Sequence, residues 1–256
     1  MALDEAILQA VRDNLAPPTL RMYAWEPPCL SLGHAQPLAE IDTQGLNAYG
    51  WDLVRRPTGG RAILHTDELT YMVAGAARNP LFAGGVLPTY RRISQGLVAG
   101  LKLLGLRPEV QSKAEEPPPS QSGHNPICFE MPSAYEITVG GRKLLGSAQV
   151  RRRGGVMQHG TLPLTGDITR ICQVLHFPDQ ASRDRAAKRL GERAVTVEES
   201  LGRSVSWDQV AASLSQGFSQ ALVLHLEPAE PTPAEELAAE EWMAKRFANS
   251  AWTGRV

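Results

Sequence analysis

The sequence is short of several things, and each shortage narrows what the chain can be. It has three cysteines, at positions 29, 128 and 172. An odd number cannot all pair within one chain, and their spacing fits no zinc module, so a reduced protein without a structural metal is expected. No window approaches 18 consecutive apolar residues, and nothing reads as a membrane-spanning helix. Neither sign of charge dominates: 26 Lys and Arg against 27 Asp and Glu leave a net charge of −1. That balance removes the electrostatic signature of a nucleic-acid binder. The opening Met1-Ala2-Leu3-Asp4-Glu5 is acidic where a secretory signal needs basic residues and an apolar run. There is no internal repeat and no mid-chain linker. The expectation is a cytoplasmic protein that acts on neither membrane nor nucleic acid.

What is present is ordinary globular material. The 256 residues, 43% hydrophobic and 21% charged, suffice to bury the core of one large domain or two small ones. Leu3, Ala6, Ile7, Ala10 and Val11 recur at helical spacing, with Asp4 and Glu5 suited to the positive first turn. Strand-like runs cover residues 20–25 and 29–32, separated by Pro27-Pro28, and then 51–55, 62–64 and 69–73 around a turn at Gly59-Gly60. Pro88 opens a second helix whose Ile93, Leu97, Leu101 and Leu104 share a face, and Gly105 closes it. Residues 115–126, rich in proline, serine and glutamate, have neither period and read as a surface loop that either carries function or only spans.

Beyond that loop, Tyr135, Ile137 and Val139 alternate with Glu136 and Thr138, and Gly140-Gly141 forms a hairpin turn. On the returning strand, period-two alternation puts Lys143, Leu145, Ser147 and Gln149 on one face and Leu144, Gly146, Ala148 and Val150 on the other. A further strand runs over 156–164. The C-terminal third is helical: Ile168, Ile171, Cys172 and Leu175 make one stripe, and Trp207, Val210, Ala211, Leu214 and Phe218 another. Ser206 with Gln209, and Thr232 with Glu235, have the spacing of reciprocal helix-start caps. This is an α+β (mixed α/β) pattern.

Four features can carry chemistry, and each has a plainer reading beside it. In Arg55-Arg56-Pro57-Thr58-Gly59-Gly60-Arg61 with His65, paired glycines let backbone approach a ligand and arginines can meet an anion; equally, this is a hairpin turn with solvated charges. Lys143 is either a solvent-facing residue past a tight turn or a lone ammonium on a half-buried strand, able to polarise an acyl carbonyl. Cys128 follows the proline-rich loop and becomes an acyl acceptor if a cation or imidazole, such as Lys143 or His124, raises its thiolate fraction; Cys29 and Cys172 sit in apolar contexts and read as core. Arg151-Arg152-Arg153 is a solvated turn or a small basic patch for an acidic partner.

Taken in order, these segments resemble the biotin/lipoate protein ligase superfamily, which includes lipoate-protein ligases and octanoyltransferases. Residues 55–65 look like its Arg-Arg-x-x-Gly-Gly signature, which lines the acyl pocket. Residues 141–149, Gly-Arg-Lys-Leu-Leu-Gly-Ser-Ala-Gln, look like its catalytic lysine motif, with Lys143 in the lysine's position. Gln158-His159-Gly160, the opening Met-Ala-Leu-Asp-Glu-Ala and Ser-Leu-Gly-His-Ala-Gln at 31–36 also match. Residues 127–136, Ile-Cys-Phe-Glu-Met-Pro-Ser-Ala-Tyr-Glu, resemble the nucleophile segment of LipM-type octanoyltransferases, and Arg61 stands where many ligases have a third glycine. The LipB type carries its cysteine downstream of the lysine, and ATP-dependent ligases need none. Two departures stand out. Members of the family carry a segment before the opening helix that supplies a strand, and His65-Thr66-Asp67 replaces a His-Asp pair, which leaves Asp67 without an assigned role.

The resemblance implies a mixed sheet flanked by helices, in one catalytic domain over 1–256 with a helical part from about residue 166. It implies octanoyl transfer from octanoyl-acyl carrier protein, through a thioester on Cys128, to a lysine of a lipoyl domain such as the glycine-cleavage H protein. Lys143 would stabilise the oxyanion. Arg56, Thr58, Gly59, Gly60, Arg61, His65, Gly146, Ser147, Gln158, His159 and Gly160 would bind the substrate. At ~0.8 kcal/mol per buried methylene, the eight-carbon chain would gain about 5 kcal/mol in an apolar slot. No metal, nucleotide or other cofactor is implied, and the acting unit is a monomer. Three alternatives share the scaffold: an ATP-dependent lipoate-protein ligase with Lys143 holding an acyl-adenylate, a lipoyl amidotransferase, and a non-catalytic binder of acylated lipoyl domains.

Overall fold

The computed structural model describes residues 1–110, 127 and 136–256. Cys128, His124 and the proline-rich segment lie outside the described residues. Among the described residues nine strands form two sheets: β1 (Thr19–Tyr23), β2 (Cys29–Leu32), β3 (Asp52–Arg55), β4 (Ile63–His65), β5 (Glu68–Ala76), β6 (Glu109–Val110), β7 (Ile137–Val139), β8 (Arg142–Arg152) and β9 (Gly155–Pro163). The larger sheet has the order β1-β5-β9-β8-β7-β6 and the smaller β3-β2-β4. All pairs are antiparallel except β2 with β3. This is the mixed α+β architecture the pattern implied.

Helices cover both faces of the large sheet. On one side, α3 (Val86–Leu103) and α6 (Trp207–Leu222) lay Ile93, Leu97, Leu101, Val210, Leu214 and Phe218 against Leu69, Tyr71 and Val73 of β5. On the other, α1 (Ala2–Arg12) packs Ile7, Leu8 and Val11 onto Met72, Ala74 and Met157. With both faces covered, every residue of β5 is buried. That is why its sequence runs on as apolar residues instead of alternating, and why the strand outlasts the expected 69–73. Between β2 and β3, α2 (Thr43–Ala48) adds a short helix that periodicity did not disclose. Beyond β9 come α4 (Gln180–Arg193), α5 (Val197–Leu201), α7 (Pro233–Trp242) and α8 (Ser250–Thr253). No described helix is long and apolar enough to cross a membrane.

Three local expectations change and one holds. The stripe at Ile168, Ile171, Cys172 and Leu175 is a 3-10 segment, Ile168–Val174, because Leu175 leaves it extended to bridge Ile41. Asp4 and Glu5 do not serve the helix dipole from the surface. Both are buried; Asp4 accepts from Arg21 at 2.6 Å and from the Tyr23 hydroxyl at 2.7 Å, and Glu5 is ion-paired with Arg152. Arg151 and Arg152 form neither a solvated turn nor a patch, since Arg151 donates to the Phe82 and Gly85 carbonyls at 2.7 and 3.0 Å. Both reserved capping boxes, Ser206 with Gln209 and Thr232 with Glu235, are formed.

Helices α3 and α6 touch backbone to backbone. A Cβ placed on Gly217 would come within 2.5 Å of Gly100 Cα and 2.7 Å of the Gly96 carbonyl oxygen, so neither helix can yield without sliding over the core. Gly217→Ala is expected to lower the unfolding free energy by about 1–3 kcal/mol, the usual cost of overpacking, read by urea denaturation. An unchanged midpoint would mean the helices separate more freely than this contact allows.

Candidate active site

The seam between the two sheets holds a cavity of about 460 Å³, within the size range of small-molecule sites. Its walls come from β2 (Ser31), the loop after β3 (Arg56, Gly59, Gly60, Arg61), β4 (Ile63, His65), β8 (Lys143, Gly146, Ser147, Ala148, Gln149) and β9 (His159, Gly160, Thr161), with Tyr23, Trp25, Thr70 and Tyr90 at the edges. Of the residues expected to bind substrate, Arg56, Gly59, Gly60, Arg61, His65, Gly146, Ser147, His159 and Gly160 line it. Thr58 and Gln158 do not; they stand one layer behind. Thr58 meets His159 Nε2 at 2.7 Å, and Gln158 donates to the Tyr71 hydroxyl at 2.8 Å while accepting from Gln149 at 3.0 Å.

The arginine pair fits neither of its two readings. Arg55 is fully buried and spends its guanidinium on the carbonyls of Gly33, Gln36 and Thr253 at 2.6–2.9 Å. Arg56, also buried, donates to Ser31 O at 2.9 Å, Gly59 O at 3.1 Å and Arg61 O at 2.6 Å. A guanidinium removed from water needs its N–H groups satisfied. The oxygens that satisfy Arg56 belong to the loop that walls the cavity, so the charge fixes the shape of that loop. Arg61 extends toward Glu40 at 3.7 Å.

Lys143 overturns the alternation drawn from sequence. The register pairs Ile137 with Leu145 and Thr138 with Lys143, so Leu144 is an extra residue on β8. Such a bulge bends the strand and reverses the faces beyond it. Leu144 and Leu145 both enter the main core, and Lys143 emerges on the cavity side with Gly146 and Ala148. It is not a lone ammonium either. Its Nζ donates to Glu136, and both side chains are buried. Glu136 and Thr138 are thus interior residues, not the outward half of an alternating strand. The signal in the sequence was the acid seven residues before the lysine, across a two-residue turn.

Gly160 lets β9 pass close to β8 at the cavity. A Cβ on Gly160 would lie 2.6 Å from Tyr71 Cε1 and 2.9 Å from Ser147 Oγ. Tyr71 and Ser147 hydroxyls meet at 2.7 Å there, and burial pushes the Tyr71 phenol up to about 12.

A second polar group was legible only at His65. The Ser31 hydroxyl lies 2.8 Å from His65 Nε2, and His65 Nδ1 lies 2.9 Å from Glu68. Thr70 and Thr161 also donate to Glu68, and Trp25 stacks on the imidazole with ring centroids 4.3 Å apart. Sequence reasoning missed Ser31, Glu68, Thr70 and Thr161, whose polar residues sit inside strands that read as core. Asp67 points elsewhere and pairs with Arg170. Cys29 and Cys172 are buried, as expected, and burial raises the Cys29 thiol to about 12. Among the described residues no cluster could hold a metal ion.

His159 is held neutral. Burial, then the nearby Arg56 and His65, push it down to about 3, against a smaller upward pull from Asp4. A histidine whose folded value lies below its unfolded one favours the native state fully above the unfolded value and loses that contribution as pH falls toward the folded value. Between about pH 6 and pH 4, wild-type stability is therefore expected to drop more steeply than that of His159→Gln, by up to about 1.4 kcal/mol per pH unit. Urea denaturation at several pH values checks this, and parallel slopes would show that His159 accepts a proton in the fold.

Known proteins provide an independent comparison. Residues 1–219 match the family model described as the lipoyl protein ligase A/B catalytic domain. The chain is 43% identical to the octanoyltransferase LipM of Kyrpidia tusciae over 100% of its length and 93% of that protein's. It is 42% identical to the octanoyltransferase LipM of Moorella thermoacetica, with the same coverage. Among solved structures, the bipartite lipoate protein ligase of Thermoplasma acidophilum, studied with its E2 lipoyl domain, superposes with a TM-score of 0.82 at 25% identity, covering 100% of this chain and 91% of that one. The fold, the ordered motifs and these full-length likenesses agree: the chain belongs to the lipoyl protein ligase A/B catalytic-domain family, as an acyltransferase of its octanoyltransferase branch in lipoate biosynthesis.

Proposed function

We propose that the chain acts as one monomeric, cytoplasmic catalytic domain that takes octanoyl from octanoyl-acyl carrier protein onto Cys128 and passes it to a lysine of a lipoyl domain, such as the glycine-cleavage H protein. The observation that carries this reading is the cavity itself. A buried, carboxylate-paired ammonium, Lys143, stands on the wall of a cavity that Gly146 and Gly160 also line. The relatives' name, octanoyltransferase, supplies the acyl group, and the structural relative is described with a lipoyl domain.

In the first half-reaction the Cys128 thiolate attacks the thioester carbonyl. A sulfur–carbon bond forms, negative charge gathers on oxygen, and the carrier thiolate leaves and is protonated. In the second, the acceptor amine attacks the acyl-enzyme, an amide forms, and the cysteine sulfur leaves. Both steps pass through a tetrahedral oxyanion, where a prepositioned cation stabilises the transition state most. Glu136 keeps Lys143 oriented for that task; Arg56 sets the Gly59–Gly60 wall, and the slot takes the acyl chain. Ile127, the residue before Cys128, is bridged to Ala62, next to Ile63 on the cavity wall, which supports the cysteine's part. Cys29 and Cys172, the two described cysteines, are both buried.

Incubation with octanoyl-carrier and no ATP is expected to add one octanoyl group to Cys128, found by intact mass and peptide mapping. Cys128→Ser should abolish transfer to H protein, and Lys143→Ala should slow acylation on the order of 10²-fold while carrier affinity changes little. Modification that requires ATP and survives Cys128→Ala would replace this reading with the ligase. Preference for an octanoylated lipoyl domain as donor would make the chain an amidotransferase.

A further inference from the structure

Forming an amide from a thioester and an amine requires that the nitrogen lose a proton and the departing sulfur regain one. Something at the cavity must carry it. Among the described side chains that line the cavity, Lys143 is engaged as a cation with Glu136. His159 is held neutral down to about 3, too weak a base for an amine. That leaves one imidazole.

Hydrogen-bond directions around a neutral His65 follow from its acid partner. The Glu68 carboxylate lies 2.9 Å from Nδ1 and can only accept, so Nδ1 carries the hydrogen. Nε2 is then the acceptor, and the Ser31 hydroxyl, 2.8 Å away, donates to it while accepting from Arg56 Nη1 at 3.2 Å. Glu68 also receives the Thr70 and Thr161 hydroxyls, and Thr70 accepts from the Trp25 indole at 2.9 Å. The result is a hydroxyl, an imidazole and a carboxylate in the sequence found where a base is held by an orienting acid. Ser31 and His65 both line the cavity, and the stack of Trp25 fixes the plane of the ring.

We propose that His65 is the general base of the amide-forming step, receiving the amine's proton through the Ser31 hydroxyl, with Glu68 as the positioning residue. The inference rests on the acyl-transfer reading above. As the nitrogen–carbon bond forms, the nitrogen gives a proton to Ser31 Oγ and Ser31 gives its own to Nε2. The imidazolium is balanced by Glu68 until the carbon–sulfur bond breaks, and the proton then returns by the same route to the leaving sulfur. No proton, electron or co-reactant is left over.

The test separates the two half-reactions. Octanoyl-enzyme is formed from octanoyl-carrier, isolated, and mixed with H protein in single turnovers. His65→Ala is expected to slow amide formation on the order of 10²-fold, the usual worth of a general base, and to slow formation of the adduct at least tenfold less. Added imidazole should restore much of the lost amide-forming rate in His65→Ala and none in Lys143→Ala, an effect a purely structural role would not produce. Glu68→Gln should give a smaller loss that imidazole does not rescue. Equal loss in both half-reactions without imidazole rescue, or a wild-type rate of amide formation in His65→Gln, would overturn the proposal. Absence of any adduct on the wild-type protein would instead sink the acyl-transfer reading, and the base role with it.

Discussion

A guanidinium that has left water must be met by oxygens, and much of the cavity exists because Arg56 has been buried. Its donors reach Ser31 on β2, Gly59 within its own loop, and Arg61 where the chain turns back toward β4. Each of those carbonyls is thereby held at a fixed distance from one planar group. Removing one partner from a buried charge costs more than the bond itself is worth, so the loop is pinned as a unit. Arg55 does the same one layer deeper, tying Gly33 and Gln36 to Thr253 near the far end of the chain. The two buried guanidiniums thus tie the strands and loops of the small sheet to one another and to the end of α8.

The bulge at Leu144 is the second constraint. A regular strand would present Lys143 to the same side as Leu145, which is packed under α3 and α6. An ammonium placed there would have no counter-charge and no water. One extra residue turns both leucines into the core and the lysine toward Glu136 and the cavity. The local irregularity thus converts what would be an electrostatic fault into a placed cation, and it does so at the residue on which the proposed oxyanion stabilisation depends.

These two features mark the boundary of what the residues disclosed on their own. The framework was legible where one periodicity governs: α1, α3 and α6 at helical spacing, the hairpin at Gly140-Gly141, and the two capping boxes, whose geometry is set within four residues. The family motifs named the cavity's lining residues well, Thr58 and Gln158 excepted, both of which act through a neighbour. Other features were decided by partners distant in sequence. Glu136 and Thr138 alternate as a surface strand would, and only the bulge on β8 makes them interior. Glu68, Thr70 and Thr161 look like polar interruptions in strands that are otherwise core, because nothing local says that they converge on one imidazole. Arg55 and Arg56 resemble an anion site until it is known that backbone carbonyls already occupy their donors.

Taken together, the cavity uses two buried carboxylates for opposite ends. Glu136 stands beside an ammonium and fixes where it points, which suits a group that must face a developing oxyanion. Glu68 stands beside an imidazole whose other nitrogen already accepts a hydroxyl proton, which suits a group that begins neutral and ends protonated. The two acids belong to one sheet but to strands set apart, Glu68 on β5 and Glu136 just before β7, with β9 and β8 between them, so neither can move toward the other's partner without breaking strand pairing. In the proposed reaction, the separation of oxyanion stabilisation from proton transfer is therefore built into the strand order and does not depend on which ligand arrives first.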